Sequence, residues 1–358
     1  MSPIEQCLSG LRVTPKRWLI TGVGGFIGSH LLENLLAAGQ TVVGLDNFTT
    51  GKRPNLELVL GSQPATASVR FQLLNGDIRS LETCRAACRN IDVILHEAAQ
   101  VSVPASVSDP LATHEINTTG FLNLLRAAEE NGVRRLVYAS SCALYGDSPN
   151  LPLREEEAAR PLSLYASSKL ANEAYAAAFA HNTPLEAFGL RYFNVFGPRQ
   201  DPQGVYAAVI PLWISAMMEH APVKIFGDGE NTRDFCHIAN IVQANLLAAT
   251  TPLPGTRHDV VNVAVGHRTS LNELFEMIRQ ELVPEFPHLV AFRPRYEAFR
   301  AGDIRHSHAT IAKAQRVLGY QPTHGVAEGL KETVQWFRRP VGYRSVIPTV
   351  SGPPGSPS

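Results

Sequence analysis

Thr21-Gly22-Val23-Gly24-Gly25-Phe26-Ile27-Gly28 decides how this chain folds, because it joins a short apolar run to a segment with helical spacing. Arg17 to Thr21 (RWLIT) precedes it as a strand, and Phe26 to Ala38 follows it with apolar residues at helical intervals. Glycines at 22, 25 and 28 permit a tight turn, close approach of the backbone to a pyrophosphate, and close contact between helix and strand. The helix opening at Phe26 and Ile27 offers unpaired N–H groups and a partial positive charge to the phosphates. Glycine before a helix is common by itself. A strand on one side and a helix on the other make this stretch a dinucleotide-binding turn.

The same rhythm continues outward. Thr41 to Leu45 (TVVGL) reads as a second buried strand, followed by strands at Val69–Leu73, Val93–Leu95, Leu136–Ala139 and Ala187–Leu190. Helix-like segments lie between them at Leu81–Arg89, Thr119–Glu130 and Tyr165–His181. Strands alternating with helices predict an α/β fold, a Rossmann-type doubly wound parallel sheet. Asp46 closes the second strand, where a carboxylate accepts hydrogen bonds from both ribose hydroxyls of an adenosine and repels a 2′-phosphate. NAD rather than NADP is the cofactor this predicts. Asp77 and Ile78, just past the third strand, are placed to touch the adenine edge.

After about residue 193 the rhythm breaks, and Pro, Gly and aromatic residues become frequent (FNVFGPRQDPQGVY). One more strand, Val260–Val263, is flanked by helices at Ile238–Ala249 and Ser270–Leu282. The expected organisation is a polar, irregular arm over 1–16, then an NAD-binding domain over 17–192, to which 237–264 returns. A smaller C-terminal α/β substrate lobe takes 193–236 and 265–340, and a flexible tail over 341–358 ends in SGPPGSPS.

Bulk properties exclude several classes. Lys plus Arg equals Asp plus Glu, 32 each in 358 residues, so no nucleic-acid partner is expected. No signal peptide is evident and no apolar run reaches the roughly 18 residues of a membrane span, which predicts a cytoplasmic protein with no membrane partner. The five cysteines (Cys7, Cys84, Cys88, Cys142, Cys236) form no CxxC pair, and their odd number fits a reducing compartment. The 12 histidines show no metal-ligand spacing, so no metal is expected.

The reactive group is read from Tyr165-Ala166-Ser167-Ser168-Lys169. Tyr and Lys four apart share one helical face. A phenol of ordinary pKa, about 10, is a poor base at neutral pH. A nearby ammonium and the cationic nicotinamide ring favour phenolate. Ser141, at the end of the strand Leu136–Ala139, supplies a hydroxyl for the reacting oxygen.

TGVGGFIG, Asp46-Asn47, HEAAQ (96–100), NTTG (117–120), SSCALYGD (140–147), YASSK and RYFNVFGP (191–198) together resemble the extended short-chain dehydrogenase/reductase family, from roughly residue 17 to residue 338. Within it the chain is similar to UDP-sugar C4-epimerases. GDGENTRDFCHI (227–238) with FRAGDIRHS (299–307) most resembles UDP-N-acetylglucosamine 4-epimerases of bacterial surface-polysaccharide pathways. The resemblance implies a redox-neutral isomerase. Tyr165 removes the sugar 4-OH proton while C4 gives a hydride to NAD, and the 4-keto sugar turns over and takes the hydride back on its other face. Lys169 then holds the nicotinamide ribose, Ser141 orients the 4-oxygen, and Asn47 and Ala98 join the cofactor site. Arg233 and Arg300 match arginines that grip the diphosphate, Asp303 the partner of the uridine ribose, and Asn194 a sugar- or phosphate-binding Asn. Cys142 and Ala143 stand where dehydratases and decarboxylases carry carboxylates, which argues against elimination. Ser307 stands where epimerases restricted to unacetylated sugars carry Tyr, leaving room for a 2-acetamido group. Acetamido-sugar epimerases, however, carry serines at 142 and 143, so a UDP-glucose/galactose or uronic-acid substrate stays open. The family also implies a homodimer.

Overall fold

The first element departs from the expected irregular arm. Pro3–Val13 is a helix, α1, closed by a capping box in which the Ser2 side chain accepts from Glu5 N–H and Glu5 accepts from Ser2 N–H. Pro3 occupies the first helical position, where its missing N–H costs nothing. Ile4, Cys7, Leu8 and Leu11 form its apolar face and pack on the main core. Ser2-Pro3-Ile4-Glu5 is the signal, legible in sequence, that the reading passed over.

The computed structural model describes residues 2–203, 208–253, 255–300 and 303–339, and the tail expected at 341–358 lies outside them. After α1 come β1 (Arg17–Thr21), α2 (Phe26–Ala37), β2 (Thr41–Asp46), α3 (Arg53–Ser62), α4 (Ala65–Ser68) and β3 (Phe71–Asn75). Then follow α5 (Leu81–Ala87), β4 (Val93–His96), α6 (Val103–Ser108), α7 (Pro110–His114), a π-helical turn (Glu115–Thr119) and α8 (Gly120–Glu130). Next are β5 (Arg135–Ser141), α9 (Leu164–Asn182), β6 (Glu186–Tyr192), β7 (Val195–Phe196), α10 (Val209–Met218) and β8 (Lys224–Phe226). The chain continues through β9 (Thr232–Arg233), β10 (Cys236–His237), α11 (Ile238–Thr250), β11 (His258–Val263), β12 (Thr269–Ser270) and α12 (Leu271–Leu282). It ends with β13 (Arg295–Glu297), β14 (His306–Ser307), α13 (Ala312–Leu318) and α14 (Val326–Arg338).

Seven strands form one sheet in the order β3-β2-β1-β4-β5-β6-β11, and each neighbouring pair is parallel. The strand order reverses between β1 and β4, which opens a crevice at their carboxyl ends. The sheet is buried on both faces. Trp18, Ile20, Val42 and Leu95 pack toward α1, α2 and α11, whereas Leu19, Val43 and Ile94 pack toward Phe121, Leu124 and Leu125 of α8. A separate core, with Trp213, Phe275, Ile278, Leu330 and Phe337, joins α10, α12 and α14. The third strand begins two residues later than expected. Val69 continues the turn of α4 in helical geometry, 85% exposed, so its β-branched side chain misleads.

α9 carries an unusual inner face. Ser163 caps it, accepting from Ala166 N–H, and Ser168, Lys169, Asn172 and Glu173 are all buried. Glu173 is matched by Arg191 of β6, whose Nε and Nη2 donate to its two oxygens at 2.9 and 2.8 Å, and by Ser140 Oγ at 2.6 Å. This buried pair sets the height of α9 against the sheet.

Candidate active site

The glycine turn crosses the crevice. Gly22 has φ +72°, and a Cβ there would lie 2.8 Å from Ala98 N. At Gly28 a Cβ would meet Gly22 O at 2.2 Å, so both positions require glycine. Gly25 leads into α2 without any side-chain cap, and the amides beginning at Phe26 and Ile27 remain free for an anion. Asp46 is buried and accepts from Gly24 N at 2.8 Å and Phe48 N at 2.7 Å. Asn47 donates to Asp77 Oδ2 at 2.8 Å. Arg79, with a smaller contribution from Asn47, brings the Asp77 carboxyl down to about 2 against the cost of burial. Ile78 is buried and turns toward Gly120, where a Cβ would be 2.7 Å from it. Ala98 N–H donates to Thr21 Oγ1 at 3.3 Å, at the floor of the crevice.

The Ser, Tyr and Lys side chains meet at the carboxyl end of β5. Ser141 ends that strand and its hydroxyl lies beside the Tyr165 phenol. Lys169 Nζ lies 5.9 Å from the Tyr165 ring centre and donates to Ala139 O at 2.9 Å. Burial pushes the Tyr165 phenol up to about 12, and the neighbouring Ser141 hydroxyl opposes this. Burial brings Lys169 down to about 8, opposed by Glu97. Of the neighbours that act on the phenol in the free chain, Ser141 lowers it, whereas Cys142 and Glu97 raise it further.

Two acidic residues that the sequence reading passed over sit here. Glu97 is pushed up to about 7 by burial; Tyr192 Oη donates to its Oε1 at 2.8 Å, and its buried Oε2 has no partner. Its signal is a lone charge in the run that closes β4. Asp234, fully buried, is raised to about 7 by desolvation although Val265 N and Gly266 N donate to it at 2.9 and 3.1 Å. The Asn of NTTG also has a structural place. Asn117 donates to Gln100 O and Ser168 Oγ, tying the loop after β4 to α9.

From this centre the site runs toward β9 and β14. Burial raises the Cys142 thiol to about 11, with the Asn194 backbone and Arg233 acting against the shift. Asn194 Nδ2 donates to Asp234 O at 3.3 Å. Arg233 donates to Asp303 Oδ1 at 2.7 Å, and Asn231 to Asp303 Oδ2 at 2.9 Å. Ser307 is buried and pairs in parallel register with Arg233. The exposed Arg300 stacks on Phe226 with its guanidinium carbon 3.6 Å from the ring centre. Arg233 and Asp303 thus satisfy each other in the free chain, while Arg300 stands apart on an aromatic support.

A doubly wound sheet with a dinucleotide turn and a Ser/Tyr/Lys centre defines an NAD-linked enzyme. Residues 18–264 match the NAD dependent epimerase/dehydratase family, and the chain belongs to that family. A UDP-glucose 4-epimerase of Mycolicibacterium smegmatis is 37% identical over 325 residues, 90% of this chain and 98% of the relative. Among solved structures, a UDP-N-acetylglucosamine 4-epimerase from Methanobrevibacter ruminantium, in complex with UDP-N-acetylmuramic acid, superposes with a TM-score of 0.81. It is 36% identical and covers 90% of this chain and 98% of its own. A Thermus thermophilus UDP-glucose 4-epimerase in complex with NAD gives 0.77 and 34%, covering 90% and 99%. NAD is the cofactor, and the turn fits it. The cradle that a Cβ at Gly22 or Gly28 would fill, and the uncapped start of α2, are what a pyrophosphate needs. Among the described residues no helix is long and apolar enough to cross a membrane.

Proposed function

We propose that this chain is an NAD-dependent UDP-sugar 4-epimerase whose substrate pair is UDP-N-acetylglucosamine and UDP-N-acetylgalactosamine. The meeting of Ser141, Tyr165 and Lys169 at the carboxyl end of β5 carries the enzymatic reading. When bound, NAD accepts a hydride from the sugar and returns it. Gly22, Gly25, Gly28, Phe26 and Ile27 would hold its pyrophosphate, Asp46 and Asn47 its adenosine ribose, and Asp77, Ile78 and Ala98 the walls around it. Tyr165 Oη takes the proton of the sugar 4-hydroxyl and gives it back. Ser141 Oγ holds the 4-oxygen in line with that phenol, and Lys169 Nζ is positioned for the nicotinamide ribose. Keeping the nucleotide tethered while the sugar turns over is a positioning effect.

Asn194, Arg233, Arg300 and Asp303 are assigned to the nucleotide, the arginines to the diphosphate through their planar forks. On this reading the diphosphate draws Arg233 away from Asp303, which frees that carboxylate for the uridine ribose. Cys142 and Ala143 offer no acid/base pair for elimination. The small Ser307 beside Arg233 leaves volume for the acetamido group, which supports the N-acetylated substrate. Cys142 and Ala143 favour a second reading, UDP-glucose/galactose, because a thiol is a weak donor and a methyl none. A cytoplasmic homodimer accompanies the proposal, with Leu122 of α8 and Tyr175 of α9 on exposed faces that would meet a second copy.

Product analysis with UDP-N-acetylglucosamine, UDP-glucose and UDP-glucuronate tests the proposal. The expected result is UDP-N-acetylgalactosamine without net NADH. Stoichiometric NADH in solution would refute epimerisation, and turnover of UDP-glucose alone would replace the first reading by the second.

A further inference from the structure

Outside the catalytic cleft, His237 of β10 meets His324 and Glu332 across the seam between α11 and α14. Chain separation hides this cluster from any spacing rule, since the two histidines belong to different elements of the fold. One potential ligand atom from each residue lies within 4.8 Å of the others. His324 Nε2 is 3.1 Å from Glu332 Oε1, close to the roughly 3.3 Å between two ligands of a tetrahedral ion with bonds of about 2.0–2.1 Å.

His237 is the informative member. It is 2% exposed, and neither Nδ1 nor Nε2 has a hydrogen-bond partner, whereas buried polar atoms are normally paired. Its ring centre is 4.8 Å from that of His324. Gly329, inside α14, makes room for it, because a Cβ there would lie 2.9 Å from His237 Cβ and Cγ. The next turn of the same helix presents Glu332.

His324 is held as a ligand would be. Its Nδ1 lies 2.9 Å from Thr323 Oγ1, which in turn donates to Asn240 Oδ1 at 3.3 Å. Asn240 Nδ2 donates to His324 O at 2.8 Å, fixing the turn. A proton on Nδ1 directed at Thr323 leaves the Nε2 lone pair facing Glu332, the arrangement outer-shell partners impose on metal-bound imidazoles. A cavity of about 250 Å³, lined by His30, Asn34, Gln243 and Thr323 besides His237 and Glu332, adjoins the cluster. Glu332 is half-exposed and gives an ion a way in.

We propose that His237, His324 and Glu332 bind a divalent transition-metal ion of the zinc type, with solvent from the cavity completing its coordination. Two imidazoles and one carboxylate suit Zn²⁺ or its neighbours, whereas Mg²⁺ and Ca²⁺ take oxygen ligands. A modest rotation of the His237 ring closes it on the pair. The ion ties α14 to the start of α11 and takes no part in chemistry at Tyr165, since none of Ser141, Tyr165, Lys169 or Arg233 lines the cavity. The proposal is independent of which UDP-sugar is turned over.

The test uses the full-length protein, stripped with EDTA and then freed of it. Calorimetric titration with Zn²⁺, and Co²⁺ titration followed by visible absorbance, are expected to give one site per chain, with a rise in Tm on adding either ion. His324→Gln and Glu332→Gln, both reaching the surface, are expected to keep the metal-free Tm and circular dichroism and to weaken binding by more than the roughly 10–100-fold that losing an outer-shell partner costs. His220→Gln alters the other close imidazole pair, whose ring centres are 4.3 Å apart, and is expected to leave binding unchanged. Absence of a stoichiometric site in the wild type overturns the proposal. So does binding that survives in the His324→Gln/Glu332→Gln double variant, or binding that His220→Gln abolishes.

Discussion

Replacing Glu97 by Gln isolates the electrostatics of the catalytic centre. Burial raises this carboxyl from 4.5 to about 7. Its contribution to stability is therefore fully present below about pH 4.5 and is lost as pH rises through about 7, because the native state then holds a proton that the unfolded chain has released. At about 1.4 kcal/mol for each tenfold in acidity, that rise is worth about 3 kcal/mol. Gln keeps the oxygen that accepts from Tyr192 and does not titrate. Its own packing cost is the same at every pH, so the pH dependence of the difference between variant and wild type reports the carboxyl, together with the Lys169 ammonium that its charge supports. Urea unfolding of the NAD-free protein, followed by tryptophan fluorescence from about pH 4.5 to about pH 8, should show the variant gaining about 3 kcal/mol on the wild type across that range. A difference that stays flat with pH would show that the carboxyl does not lose a proton there, and would refute the account of its burial.

Tyr165→Phe is expected to keep the fold and NAD binding while losing at least about a hundredfold in turnover, the scale of general acid–base catalysis; near-wild-type turnover would remove the phenol from its role. For Ser307→Tyr, loss of acetamido substrates with UDP-glucose turnover retained is expected in a paired steady-state assay, and equal loss of both would show that the volume argument is wrong. Glu173→Gln leaves Arg191 as a buried charge without its partner and should cost about 3–5 kcal/mol in chemical denaturation, with Arg191→Met in the same chain recovering most of it. No recovery in that double variant would mean that packing, rather than the charge, was lost. Gly28→Ala, driving a methyl against Gly22 O, is expected to abolish NAD binding in a fluorescence titration while UDP binding survives.

Much of the sheet was legible because its signals are local. RWLIT, TVVGL and the glycine turn between strand and helix need only period and punctuation to be read, and the observed strands overlap those expected. Misreadings occurred where local signals compete. Val69 is β-branched yet finishes a helical turn, and the α1 cap was masked by the polar look of its surroundings. In the site, Ser141, Tyr165 and Lys169 are readable as a spacing on known elements. Asp234 is not, and Glu97 shows only as a lone charge after β4, since what distinguishes both is desolvation, a property of everything packed around them. The Arg233–Asp303 pair joins two segments that only tertiary structure brings together.

The placement of β11 has a consequence for how the protein forms in time. The sheet draws its outer strand beside β6 from residues His258–Val263, and α1, synthesised long before α11, packs against it. A nascent chain that has emerged only as far as β6 holds the whole nucleotide crevice but leaves the open edge of β6 and the inner face of α1 bare. Such an edge is a template for wrong pairing until its partner arrives. Long-range closures of this kind slow folding. Truncation before α11 should therefore yield aggregating material rather than a smaller NAD-binding module.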